Sequence, residues 1–123
     1  MAAQEPNYKK LIVYQKAKSL AVDIIRFFSK QKLPRILEFI AIQLLKSITS
    51  IGANIAEGYG RYYQGNTRQF LSVARGSSYE SDYWLEIITE TELFNENSLK
   101  NFSERNIELS KMLTGLMKKT EKS

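Results

Sequence analysis

The sequence predicts an all-α fold, an up-down-up-down antiparallel four-helix bundle in a single domain covering residues 1–123. Three observations predict it. The chain has 123 residues, the usual length of one domain. It holds only 2 Pro and 6 Gly, with 43% hydrophobic residues, which argues against a turn-rich β protein and against disorder. Apolar residues recur at spacings of three and four in four segments, and the short breakers between them set successive helices antiparallel.

The first helix is expected over residues 8–29. Tyr14, Ala17, Ala21, Ile24, Ile25 and Phe28 fall on one face, while Lys9, Lys16, Arg26 and Lys30 gather on the opposite arc, interrupted by Asp23. Asn7 is the expected N-cap, and Pro34 ends the segment because the residue before proline avoids the α region. The second helix, residues 35–58, carries the stripe Leu37, Ile40, Ala41, Leu44, Ile48, Ile51 and Ile55, and Gly58-Tyr59-Gly60 is expected to stop it. Phe39 and Ile42 lie off that stripe, where a monomeric helix would carry polar residues.

The third helix is expected over residues 67–93, with Phe70, Ala74, Ser77, Ser81, Trp84 and Ile88 as its stripe. Its middle is small, with Ala74, Gly76, Ser77, Ser78 and Ser81 letting a neighbouring helix come close. Tyr79, Tyr83 and Ile87 form a second apolar strip, and a helix with two strips must bury one outside its own bundle. Asn95 to Ser98 reads as a turn ending in an N-cap serine. The fourth helix then runs over residues 99–117, lined by Leu99, Phe102, Leu109, Leu113, Leu116 and Met117.

Several function classes drop out on composition. With no Cys and no His there is no disulfide framework, zinc finger, thiol nucleophile or imidazole-based triad. Glu86 and Glu90 share a face, but a di-iron bundle needs a Glu-x-x-His pair, so no metal and no cofactor is expected. Glu57 has no partner acid or nucleophile, and no enzyme is expected. The glycines at 58, 60 and 65 follow a helix, whereas phosphate-cradling glycine loops follow a strand. The polar N-terminus lacks a signal-type apolar stretch and the apolar runs are short, so a cytoplasmic protein without a membrane partner is expected.

Charge points to a partner. The chain carries net +5, with +8 in residues 1–79 and −3 in residues 80–123. Such asymmetry suits either a polyanion or an opposite-sign surface on another subunit. The candidate nucleic-acid contacts are Lys9, Lys10, Lys16, Arg26 and Lys30 on the first helix, Lys46 on the second, and Arg61 and Arg68 in the following loop. The first helix presents the largest uncommitted basic surface. Arg61 to Arg68 interleaves arginines with Tyr62 and Tyr63, a pattern that neutralises phosphate and stacks on unpaired bases; the tyrosines could equally pack on the bundle end. Asn54, Glu57 and Arg61 are spaced to form a hydrogen-bonded cap at the exit of the second helix, and Arg75 is placed to pair with the acidic run.

The string Ser50 to Arg61, with Asn54-Ile55-Ala56-Glu57-Gly58 inside it, is followed by Phe70-Leu71, Ala74, Gly76-Ser77 and Glu80. With the opening Leu11-x-Val13-Tyr14-Gln15-Lys16-Ala17, this pattern resembles the small bacterial four helix bundle proteins encoded in intervening sequences of the large-subunit ribosomal RNA gene. The resemblance covers about residues 8–117. Tyr14 stands where the family often has Trp, and the third helix lacks the Gly-Tyr that often closes it. The resemblance implies an up-down bundle assembled as a ring-shaped homopentamer. It also implies kinship with the accessory variability determinant of diversity-generating retroelements, which binds a reverse transcriptase and contacts RNA or DNA through a basic surface. In that picture Phe39, Ile42, Tyr79, Tyr83 and Ile87 line the subunit interface. The resulting expectation is a non-enzymatic, oligomeric nucleic-acid-binding accessory protein. The alternative is a structural assembly protein with no nucleic-acid role.

Overall fold

The computed structural model describes residues 7–60 and 66–121. Among them are a short 3-10 turn, Asn7–Lys10, and four α-helices: α1 (Ile12–Ser29), α2 (Arg35–Gly60), α3 (Thr67–Glu90) and α4 (Glu96–Glu121). No described residue is in a strand.

Cross-helix contacts fix the directions. Ser47 meets Ser81 and Ser50 meets Ser77, so α2 and α3 run antiparallel. Ser78 meets Asn106 while Arg75 meets Thr114, which sets α4 antiparallel to α3. Lys16 reaches Glu108 and Arg105 reaches back to Asp23, closing α4 against α1. Each helix packs on two neighbours, and the diagonal pairs make no close approach among the described residues.

The core runs the length of the bundle. Leu20, Ile24, Leu44, Ile48, Ile51, Ile55, Leu71, Leu85, Ile88, Leu99, Leu109 and Leu113 are fully buried. Phe27, Phe28, Phe94 and Phe102 pack edge to face at one end, with centroids 5.1–6.2 Å apart. α2 is long and apolar enough to cross a membrane, with a mean hydropathy of 1.5. In the bundle its isoleucine stripe lies at the centre of the core.

Five helix boundaries differ from expectation, most of them for a local reason. The first helix does not start at residue 8. Asn7 starts the 3-10 turn, Leu11 is extended, and α1 begins at Ile12 without a side-chain cap. α2 continues through Gly58 and Tyr59 to Gly60 rather than stopping at 58. Gly58 serves packing instead: a Cβ there would lie 2.9 Å from Phe70 Cβ, so its bare backbone lets α3 close on α2. α3 ends at Glu90, not 93, because Thr91 donates its N–H to Ile87 and Ile88 and Glu92 turns left-handed at φ 58. α4 starts at Glu96 and runs to Glu121, because Asn95, not Ser98, is the cap: its Oδ1 accepts the Ser98 N–H at 3.0 Å.

The buried face of α3 keeps Ala74, Ser81 and Ile88 of the expected stripe but replaces its other three residues with their neighbours. Leu71, Ser78 and Leu85 face the core, leaving Phe70, Ser77 and Trp84 half-buried on the flank toward α2. The residues 71, 78 and 85 form a parallel heptad row, and the row with leucines at both ends won the core. In α1 the expected Ala17, Ile24 and Phe28 are buried, but Val13 and Leu20 replace Tyr14 and Ala21 in the core and Ile25 stays exposed. Gly76 is not in a helix contact: it is exposed, and a Cβ there would meet nothing within 4 Å.

Candidate functional site

Small polar residues of α2, α3 and α4 build a hydrogen-bonded ladder through the bundle. The buried Ser47 and Ser81 hydroxyls lie 2.7 Å apart, and Ser81 donates to the Ser77 carbonyl at 2.8 Å. Ser50 and Ser77 hydroxyls lie 2.9 Å apart, and Asn54 Nδ2 donates to both Ser50 oxygens. On the other flank, Asn106 Nδ2 donates to the Ser78 carbonyl while Ser78 Oγ donates to Asn106 Oδ1, both at 2.9 Å. Every fully buried side-chain nitrogen or oxygen among the described residues has a partner. The hydroxyls of this ladder are spent on neighbouring helices, and their role is to fix how the helices register.

This changes the reading of the Asn54–Glu57–Arg61 motif. Asn54 bonds to Ser50 within α2 rather than capping the helix exit. The junction to α3 is held by Thr67, whose Oγ1 donates to the Gly58 carbonyl at 3.0 Å. Arg61 and the tyrosines at 62 and 63 lie outside the described residues. Glu57 is exposed on α2. Ser77 does sit in the α2–α3 contact, and Glu80 accepts the Trp84 indole N–H at 3.2 Å. Burial of the Tyr59 ring beside this junction pushes its phenol pKa up.

The expected basic surface on α1 is divided by the fold. Lys16 is not uncommitted, because it forms an ion pair with Glu108 of α4. Arg75 does not turn to the acidic run; it donates to Thr114 Oγ1 at 3.2 Å and stands over the Tyr79 ring at 5.9 Å. Arg26 and Lys30 lie at the opposite end from Lys9 and Lys10, and Lys46 is exposed near the middle of α2. The antiparallel fold sorts charge by end instead. The end formed by residues 7–20, 48–60, 66–78 and 107–121 holds nine basic side chains against three acidic. The half formed by residues 21–47 and 79–106 holds seven against nine.

At the basic end Lys9 and Lys10 of the 3-10 turn, Arg68 of the first turn of α3, and Lys118 and Lys119 of the last turn of α4 are all exposed. Neither α1 nor α3 has an acidic residue in its first turn. Cations beside helix N-termini oppose the macrodipole, so Lys9, Lys10 and Arg68 are placed against local helix stability. Arg68 and Arg75 line a depression of about 540 Å³ with Gln69, Ser72, Val73 and Met117. Sequence reasoning missed Lys118 and Lys119, because the partition of the chain at residue 79 averaged them with the acidic run. A folding diagram with antiparallel helices would have returned them.

A separate aromatic surface forms where α2 and α3 pair. Phe39 and Trp84 ring centroids lie 6.4 Å apart, and Tyr83 and Trp84 5.0 Å apart. Phe39 is 61% exposed, Tyr83 56%, and Ile36 at the start of α2 82%. Ile42 and Tyr79 are exposed as expected, whereas Ile87 is half-buried.

The chain matches known proteins along most of its length. A family model described as 23S rRNA-intervening sequence protein matches residues 9–115. A crystal structure of a protein of unknown function from the S23 ribosomal protein family of Bacteroides thetaiotaomicron is similar at a TM-score of 0.76. It is 28% identical and covers 87% of this chain and 99% of that one. No curated protein matches.

Proposed function

The chain belongs to the 23S rRNA-intervening sequence protein family, and from that premise we propose that it is a non-enzymatic, oligomeric protein that binds nucleic acid through one end of its bundle. The observation that carries this reading is the concentration of Lys9, Lys10, Arg68, Lys118 and Lys119 at one end, three of them, Lys9, Lys10 and Arg68, against helix-dipole preference. A cluster of this kind neutralises backbone phosphates and releases counterions, giving sequence-tolerant, salt-sensitive binding. Arg75, held by Thr114 and the Tyr79 ring, adds an ordered guanidinium beside Arg68.

The oligomer rests on a different surface. Ile36, Phe39, Tyr83 and the flank of Trp84 expose apolar area that a subunit contact would cover, and a ring-shaped homopentamer is the assembly proposed for it. The sharper form, an accessory subunit of a retroelement reverse transcriptase, rests on the family resemblance, and co-purification with such an enzyme tests it. The second reading, a cytoplasmic assembly protein with no nucleic-acid role, is favoured by the same aromatic surface. Retention of structured RNA at low salt, measured beside the particle mass by light scattering, separates the two. RNA retained by a multimer supports the proposal, and a multimer that retains none leaves the assembly reading.

A further inference from the structure

Two features at opposite ends of the bundle expose apolar surface, and their charges are complementary. At the basic end a groove of about 470 Å³ opens between the start of α1 and the last turns of α4. Ile12, Met112 and Leu116 give it an apolar wall, and Lys10 and Lys119 complete the lining. Gly115 lies in the groove on the same face of α4, and a Cβ there would meet nothing within 4 Å. A mid-helix glycine lowers helix propensity relative to alanine, and nothing inside this subunit compensates for it at 115.

At the other end the α3–α4 turn presents a leucine. Glu92 is left-handed at φ 58, its N–H bonded to the Thr89 carbonyl at 3.1 Å. Leu93 follows and is 59% exposed. Phe94 anchors the far side of the turn against Phe27 and Phe28. Leu93 is therefore an apolar side chain on a turn fixed at both sides, bracketed by Glu92 and Glu96.

We propose that a second copy of this chain seats its Leu93 in the groove beside Gly115, with Glu92 and Glu96 facing Lys10 and Lys119. The groove offers Ile12, Met112 and Leu116 to the leucine and Lys10 and Lys119 to the carboxylates, so apolar surface and charge are complementary. The contact is heterologous: each copy offers a groove at one end and a leucine at the other, so it propagates head to tail. It is separate from the aromatic surface on α2 and α3, and adds stacking to whatever assembly that surface makes. One leucine in one groove is a small interface, so association is expected to grow with protein concentration rather than to be complete when dilute. Nucleic acid on Lys10 and Lys119 would compete with it.

Charge reversal in the full chain, freed of nucleic acid and followed by sedimentation velocity at low salt, tests the contact. The wild type should gain mass as concentration rises. Lys10→Glu with Lys119→Glu, and Glu92→Lys with Glu96→Lys, should each lose that growth, because each carries like charges at both ends. An equimolar mixture of the two should regain it. Leu93→Ser should weaken the step about tenfold or more without altering the mass of the dilute species. A wild-type mass independent of concentration would overturn the proposal. So would charge-reversed proteins, folded by circular dichroism, that associate as the wild type does or fail to associate when mixed.

Discussion

Three helix glycines should respond with opposite signs to the same substitution. A methyl at Gly58 would lie 2.9 Å from Phe70 Cβ and 3.4 Å from the Thr67 carbonyl oxygen. Neither atom is the tip of a flexible side chain, so α2 and α3 must part. Overpacking of this kind costs about 1–3 kcal/mol, against which Ala returns about 1 kcal/mol of helix propensity. The Thr67 bond to the Gly58 carbonyl is strained by the same movement. Gly58→Ala should therefore destabilise the fold by up to about 2 kcal/mol. Gly76 and Gly115 meet nothing within 4 Å, so Gly76→Ala and Gly115→Ala should each stabilise by up to about 1 kcal/mol. Thermal unfolding with roughly 4 °C per kcal/mol resolves the difference. A Gly58→Ala protein as stable as the other two would refute the close α2–α3 approach.

Other consequences are equally direct. Asn106→Ala removes a buried reciprocal pair with Ser78 and leaves a gap, so denaturant unfolding should show a loss of about 2–3 kcal/mol. Tyr59 ionises later folded than unfolded, so the unfolded state binds fewer protons just above its own pKa; stability should be level below about pH 10 and fall above it, and Tyr59→Phe should flatten that fall. Phe39→Glu with Tyr83→Glu should yield a folded smaller species by light scattering; an unchanged multimer would remove the aromatic surface from the assembly.

The helix count, the order of the helices and most of the core of α2 and α4 were legible in the sequence, because Leu37 to Ile55 and Leu99 to Met117 are unambiguous at helical spacing. The buried row of α3 was not, because Phe70–Ser77–Trp84 and Leu71–Ser78–Leu85 run parallel and both read as apolar. Only the fit against α4, where Ser78 pairs with Asn106, decides between them. Asn106 fills the gap between Phe102 and Leu109, a buried polar residue that apolar spacing alone does not place. The basic site was half legible. Lys9, Lys10 and Arg68 were named, but Lys16 finds Glu108 and Lys118 and Lys119 join only because distant helix ends meet in space.

The nucleic-acid claim is tested most directly by the salt dependence of structured-RNA binding, compared between Lys9→Ala/Lys10→Ala/Lys119→Ala and Arg26→Ala/Lys30→Ala. The basic end predicts a steep log–log slope for the wild type. The first variant should lower it by about two to three units, and the second should leave it nearly unchanged. No RNA retained by the wild type at low salt, or equal losses of slope in both variants, would contradict it.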